Sequence, residues 1–231
     1  MSAYEPSAGE QQPLGRMIPP VPHGVEIPPE PADVGARALS VAARLLCGAS
    51  TFFFLAFVFA YFYLRSLNQD HMWRPAHVKP DQGLGAAFVA CVVLSVLATF
   101  IAGRQMKAGS RSWTGAAFAG VVLGLLAIVF QCIAYTQQHF GPTDGAFASV
   151  FCAWSGLYLI AVLGTMYWLE TQVATEFRAR RLPAHRTTEQ KDGADIADPD
   201  LLIAPGLDAA VFYWGFLGGI GVLTYIVLYL V

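Results

Sequence analysis

Residues 209–231 read AAVFYWGFLGGIGVLTYIVLYLV, and none of these side chains carries a charge. In an α-helix, which rises about 1.5 Å per residue, such a segment is about 34 Å long. The hydrocarbon core of a bilayer is about 30 Å thick and requires roughly 20 apolar residues in a helix. Backbone groups in lipid must also be hydrogen-bonded within the segment. We therefore predict a transmembrane helix.

Four similar apolar stretches lie earlier in the chain, at residues 39–67, 84–102, 113–135 and 146–169. Arg44 and Arg65 are the charged residues within them, and each lies near an end of the first stretch. The sequence therefore predicts an all-α integral membrane bundle of five transmembrane helices.

The composition supports a membrane location. The 231 residues are 55% hydrophobic and 13% charged, whereas a soluble domain carries about 25% charged residues. A domain solvated by water on all sides is therefore excluded. The formal net charge of -2 lacks the basic excess of a nucleic-acid binder, so we expect no nucleic-acid partner.

Two segments outside the spans differ in composition. Residues 1–38 contain prolines at eight positions, which prevent a helix through most of their length. We expect a disordered cytoplasmic tail. The alternative, a segment that docks along a partner protein, is left open. No short basic segment precedes the first span, so a cleaved signal peptide is not expected. Residues 171–205 begin as an extension of the fourth helix and are expected to continue as a polar cytoplasmic loop.

The basic residues predict the orientation of the bundle, because cytoplasmic loops carry an excess of Lys and Arg. One side of the membrane receives 11 of the 14 basic residues, and the other side receives three. The first group is Arg16, Arg37, Arg44, Arg104, Lys107, Arg111, Arg178, Arg180, Arg181, Arg186 and Lys191, and the second is Arg65, Arg74 and Lys79. The N-terminus is predicted to be cytoplasmic and the C-terminus outside.

Ionisable side chains within a membrane bundle usually mark a functional site, and none lies in the middle of these spans. All histidines fall in the tail or the loops: His23, His71, His77, His139 and His185. The four cysteines lie at long, irregular spacings and are interpreted as packing residues. We expect no catalytic residue, no metal site and no cofactor of its own in this chain.

Small residues in two spans suggest close helix packing. Gly120-x-x-x-Gly124 and Gly215-x-x-x-Gly219 each place two glycines on one helix face, so that two backbones can approach closely. With Trp214 and Tyr61, these glycines are the candidate residues for helix packing or a partner interface. Packing within the chain and packing against a partner remain equally open.

Amphipathic residues near the span ends predict membrane anchors. Trp73, Trp113 and Trp168 fall near predicted interfaces, where such rings anchor helices. Arg65, at the end of the first span, is the fourth candidate for an anchor or lipid contact.

Few polar residues lie inside the spans. Gln131, Ser50 and Thr51 are predicted to bond to another helix or to their own backbone. A substrate site built from them is the weaker alternative.

Four groups of short stretches follow one another in a specific order. STFFF and FAYFYLR occupy residues 50–54 and 59–65, QCIAY occupies 131–135, ASVF occupies 148–151, and YWGF with YIVLYL occupies 213–216 and 225–230. This order resembles the subunit III family of haem-copper oxidases, with its Q-x-x-E-Y, G-S-V-F and Y-W-H-F-V-D stretches. The resemblance covers about residues 39–231 and points to the five-helix form of bacterial quinol and cytochrome c oxidases.

The chain also departs from that family at polar positions. Neutral or apolar residues stand where the family has carboxylates and histidines, namely Ser50, Ala134, Tyr158, Ala161, Gly215 and Gly218. These departures put in doubt any role that depends on a buried polar network, such as sustaining proton uptake.

The resemblance implies a cofactor-free accessory subunit of a bacterial terminal oxidase in the plasma membrane. It would stabilise catalytic subunit I, which would hold the haem and copper, contact other oxidase subunits, bind membrane phospholipid and offer an oxygen route. Two alternatives stay open. One is the same fold attached to a nitric oxide reductase or a respiratory supercomplex, and the other is a small transporter or assembly factor.

Overall fold

The computed structural model describes residues 32–68, 73–110, 112–181 and 200–231. These residues form five α-helices and one π-helical turn, without strands in the described part of the chain. The elements are α1 (Ala32–Ser66), α2 (Gln82–Lys107), α3 (Trp113–Gln137), α4 (Ala146–Arg181), α5 (Asp200–Tyr225) and the π-helical turn (Ile226–Leu230). All five helices are long and apolar enough to cross a membrane, which confirms the predicted class.

Helices α2, α3, α4 and α5 form a ring in which each helix packs against the next, and α5 also contacts α2. Helix α1 packs against α4 and α5 on the side of this ring. Short connections join α2 to α3 and α3 to α4, so each of these pairs runs antiparallel. Helices α4 and α5 each contact three of the other helices and therefore connect the ring to α1.

The outer surface of the bundle is strongly apolar. Phe52, Leu45 and Phe59 on α1 are 80%, 69% and 69% exposed. Exposing such side chains to water costs roughly 25 cal/mol per Å² of apolar surface. Lipid carries no such cost, so this surface suits the interior of a bilayer.

A capping side chain and a glycine mark the two ends of α2. The Asp81 carboxylate accepts from the Leu84 N–H at 3.0 Å and caps α2. Gly109, with φ of +70°, ends α2 in the left-handed conformation that glycine tolerates best. The turn that follows brings α3 back along α2.

The helix bounds differ from the predicted spans most of all at the start of α1, the end of α4 and the start of α5. Helix α1 begins at Ala32, directly after the last proline of the tail. The helix therefore starts earlier in the chain than the span predicted from residue 39. Helix α4 continues to Arg181 and α5 starts at Asp200, so both enter the expected loop at 171–205. The rest of that loop, and the tail before Ala32, lie outside the described residues.

Candidate interaction faces and buried polar groups

A buried tryptophan connects α5 to two neighbouring helices. The Trp214 side chain is 0% exposed, and its Nε1–H donates to Ser95 Oγ of α2 at 3.0 Å. Ser95 Oγ donates in turn to the carbonyl oxygen of Gly120 in α3 at 2.5 Å. Trp214 therefore joins three helices of this chain and offers no exposed ring to a partner.

The first glycine pair lies inside the bundle. A Cβ atom on Gly120 would overlap the Thr99 methyl group and lie 3.3 Å from the Ser95 carbonyl oxygen in α2. A Cβ atom on Gly124 would overlap Met166 Sδ in α4. The pair lets α3 approach both neighbours, so packing within the chain occupies it.

The second glycine pair lies on the outside of α5. Gly215 and Gly219 are exposed, and no heavy atom beyond their own helix lies within 4 Å of a Cβ built on either. Phe212, one turn before Gly215, is 55% exposed on the same helix. This face is therefore open to lipid or to another protein.

Tyr61 and Trp73 pack together at one end of the bundle. Tyr61 is 1% exposed and Trp73 is 8% exposed, and their ring centroids lie 5.2 Å apart. Both rings also contact Phe147 at the start of α4. The Phe147 N–H donates to the Trp73 carbonyl oxygen at 3.1 Å. This packing explains the burial of both side chains and leaves Trp73 little surface for a lipid headgroup.

The other three candidate anchors have different surroundings. Trp113 is buried at the start of α3 and packs within the core. Trp168 is half-buried and packs against the core from α4. Arg65 is exposed, and its guanidinium donates to the Val231 carbonyl oxygen at 3.1 Å, which ties the end of α1 to the end of the last helical segment.

Ser50 and Thr51 make the kinds of contact that were predicted. The Ser50 and Tyr213 hydroxyl oxygens lie 3.0 Å apart, which links α1 to α5. Thr51 Oγ1 donates to the Cys47 carbonyl oxygen at 2.7 Å within α1. The prediction of a helix-to-helix or backbone bond is confirmed for both residues.

Gln131 lines a small cavity between α2, α3, α4 and the last helical segment. Its side chain is 2% exposed, and its Nε2 has no hydrogen-bond partner among the described residues. The cavity also contains Ser155, Tyr158 and Thr224. The Gln131 side chain also interacts with the hydroxyl groups of Tyr135 and Tyr229. The predicted contact to another helix is therefore present, although Nε2 makes no hydrogen bond of normal geometry among the described residues.

Two of the positions that depart from the family pattern also take part in packing. The Tyr158 hydroxyl donates to the Leu217 carbonyl oxygen at 2.9 Å, which joins α4 to α5. A Cβ atom on Gly218 would lie 2.7 Å from Val96 Cγ2, so this glycine permits close contact between α5 and α2. At Tyr158 and Gly218, uncharged contacts between helices therefore stand where the family has ionisable side chains.

Sequence reasoning did not identify Ser95 or the cavity. Ser95 and Thr99 are the polar residues within a predicted span that is otherwise apolar, and the position of Ser95 25 residues before Gly120 does not indicate a contact. The cavity depends on the π-helical turn, which carries Tyr229 over Gly85 in α2. A short π-helical turn has no sequence signal of the kind that marks a span.

The described residues contain no group of three or more His, Cys, Asp or Glu side chains placed to hold a metal ion. Their polar groups instead connect helices, as at Trp214 and Ser50. A bundle of five membrane-length helices with such contacts defines a multi-pass integral membrane protein.

The family model of cytochrome c oxidase subunit III matches residues 34–197, and the chain belongs to this family. The resemblance inferred from the sequence is thereby confirmed.

Curated relatives carry the same subunit name. Cytochrome c oxidase subunit 3 of Pyricularia grisea is 23% identical over 200 residues, which cover 84% of this chain and 67% of the relative. The Latimeria chalumnae subunit is 23% identical and the Rattus norvegicus subunit 24% identical, each over 201 residues that cover 84% of this chain and 69% of the relative. These three relatives are eukaryotic proteins, and their identity to the chain is low, as expected for a divergent family member.

Proposed function

We propose that the chain is an accessory subunit of a haem-copper terminal oxidase in aerobic respiration and packs against its catalytic subunit I. Membership of the cytochrome c oxidase subunit III family supports this role. The partner subunit would hold the haem and copper and carry out the reduction of oxygen. This chain would stabilise that subunit by lateral helix contacts in the membrane.

The open glycine pair on α5 is the observation that carries the docking proposal. Helices associate in lipid through van der Waals packing, which is strongest where small residues let two backbones approach. Within this chain Gly120 and Gly124 already serve such contacts, whereas a Cβ atom built on Gly215 or Gly219 has no atom of another helix within 4 Å. We therefore assign the outer face of α5 at Gly215 and Gly219 to a helix of subunit I.

The apolar outer surfaces support two further parts of the proposal. Exposed side chains such as Phe52 and Phe59 on α1 would contact acyl chains, and Arg65 near the end of α1 would bind a lipid phosphate. Oxygen partitions into apolar media, so lipid held against these surfaces would supply oxygen to the catalytic subunit. Trp168 remains the candidate interface anchor on α4.

The proposed location is a bacterial plasma membrane, with the N-terminus in the cytoplasm. The five-helix form that the sequence resembles occurs in bacterial oxidases. The larger share of basic residues, including Arg104 and Lys107 at the end of α2, supports the orientation.

A co-purification experiment tests the docking face. We expect Gly215→Leu with Gly219→Leu, made in the tagged chain, to lower the amount of haem-containing partner recovered in mild detergent. Gly164→Leu is the matched control, because Gly164 is also exposed in a helix and meets no atom within 4 Å. Loss of the partner in the control but not in the double variant would move the docking face to α4.

The visible spectrum of the purified complex tests the class of partner. Haem a or haem o with a large polytopic partner supports a terminal oxidase. Haem b without haem a or haem o would favour a nitric oxide reductase. A colourless chain without a partner would contradict the accessory role and favour a transporter or an assembly factor.

A further inference from the structure

We infer that the cavity beside Gln131 binds one water molecule that connects α3 to α4 and α5. The cavity has room for about one water molecule and is lined by Gln131, Ser155, Tyr158, Thr224 and Tyr229, together with residues of α2. It lies wholly within this chain, so the inference does not depend on which partner the subunit has.

The Gln131 amide sets the first requirement on the ligand. The side chain is 2% exposed, and its Nε2 is buried without a hydrogen-bond partner among the described residues. Buried polar groups in native proteins are nearly always paired with protein or with ordered water. A ligand at this place must therefore accept a hydrogen bond from the amide.

Three of the hydroxyl groups that line the cavity set the second requirement, because their hydrogens are already used. Ser155 Oγ donates to the Phe151 carbonyl oxygen at 2.5 Å. Tyr158 donates to the Leu217 carbonyl oxygen at 2.9 Å, and Thr224 donates to the Ile220 carbonyl oxygen at 2.8 Å. Since a carbonyl oxygen only accepts, the Tyr158 and Thr224 hydroxyl oxygens offer lone pairs to the cavity. A ligand must therefore donate as well as accept.

Water meets both requirements at the available size, since each molecule donates two hydrogen bonds and accepts two. Oxygen and other apolar gases can donate none and would leave the Gln131 amide unpaired. The conclusion holds for either orientation of the amide, because water can serve an unpaired oxygen as well as an unpaired nitrogen. The cavity is therefore a water site and lies outside any oxygen route.

Cryo-electron microscopy of the intact complex, at a resolution that shows ordered waters, tests the site. We expect a density peak about 2.7–3.2 Å from the Gln131 amide and close to the Tyr158 and Thr224 hydroxyl oxygens. A crystal pressurised with xenon should show no xenon there. Xenon in the cavity, or no peak where comparably buried waters are resolved, would overturn the inference.

A variant tests whether Gln131 holds the water. We expect Gln131→Leu to lose the peak, while Gln137→Leu, an exposed glutamine on the same helix, retains it. Should the leucine variant fail to assemble, Gln131→Met removes the polar atoms with an unbranched side chain of similar length. A peak that persists without the amide would contradict this assignment.

Discussion

Replacing Gly120 by alanine would place a methyl group directly between α2 and α3. The new Cβ would overlap the Thr99 methyl group and lie 3.3 Å from the Ser95 carbonyl oxygen and 3.4 Å from the Thr99 backbone nitrogen. Two of these neighbours are backbone atoms of α2. We expect the Thr99 side chain to keep its rotamer, because its hydroxyl is hydrogen-bonded to the carbonyl oxygens of Ser95 and Val96, at 3.1 Å and 2.9 Å. Helix α2 must therefore move.

The expected cost follows from three contributions. Overpacking in a core costs about 1–3 kcal/mol. Movement of α2 would also weaken the bond from Ser95 to the Gly120 carbonyl oxygen, which contributes about 1 kcal/mol. The better helix propensity of alanine returns at most about 1 kcal/mol. We expect Gly120→Ala to lower the free energy of unfolding by about 1–3 kcal/mol.

Gly215→Ala provides the matched control, since it gains the same helix propensity and meets no atom within 4 Å. We expect its free energy of unfolding to stay unchanged or to rise by up to about 1 kcal/mol. Titration of the purified chains from mild detergent into sodium dodecyl sulfate, followed by far-ultraviolet circular dichroism, measures both changes. Equal changes in the two variants would refute the assignment of the inner and outer glycine pairs.

Three further outcomes are expected. Ser95→Ala leaves the buried Trp214 Nε1–H without its partner and should lower the free energy of unfolding by about 1–3 kcal/mol in the same titration. Ser95→Ala combined with Trp214→Phe should lower it by less than the sum of the two single changes. Gly85→Ala should lower the thermal unfolding midpoint of the chain, because the new Cβ would lie 2.5 Å from the Tyr229 ring in the π-helical turn. An unchanged midpoint would show that this ring moves freely. In a cysteine-free background, a membrane-impermeant maleimide applied to intact cells should label Gly141→Cys and leave Ser110→Cys unlabelled, and the reverse result would invert the predicted orientation.

The five spans could be predicted because a bilayer imposes their length and polarity directly on the sequence. The prediction that Ser50 bonds to another helix was also accessible, since a hydroxyl in lipid needs a partner. Its particular partner, Tyr213, lies 163 residues away, and nothing local to either residue specifies the pair. Long-range contacts of this kind required the structure.

The two glycine pairs show why the buried face of a membrane helix is hard to predict. In a soluble protein a polar stripe marks the exposed face of a helix. Here the outer surface is as apolar as the interior, so Gly120 and Gly215 have similar sequence surroundings. Their different environments arise from the position of α3 and α5 in the bundle. The same uniformity explains why the burial of Trp113, predicted as an interface anchor, could not be inferred from the sequence.

The polar contacts in the described residues suggest how this divergent chain maintains its bundle. Tyr158 and Ser95 reach carbonyl oxygens on other helices, so each closes a helix contact with a neutral donor. A buried charge would need an oppositely charged partner to offset its desolvation, whereas the hydrogen bond to one carbonyl oxygen is enough for a neutral hydroxyl. Such contacts hold helices in place without providing a charged group in the membrane interior. We therefore expect the contribution of this chain to an oxidase to depend on its shape and lateral packing, which the α5 glycine variants measure directly.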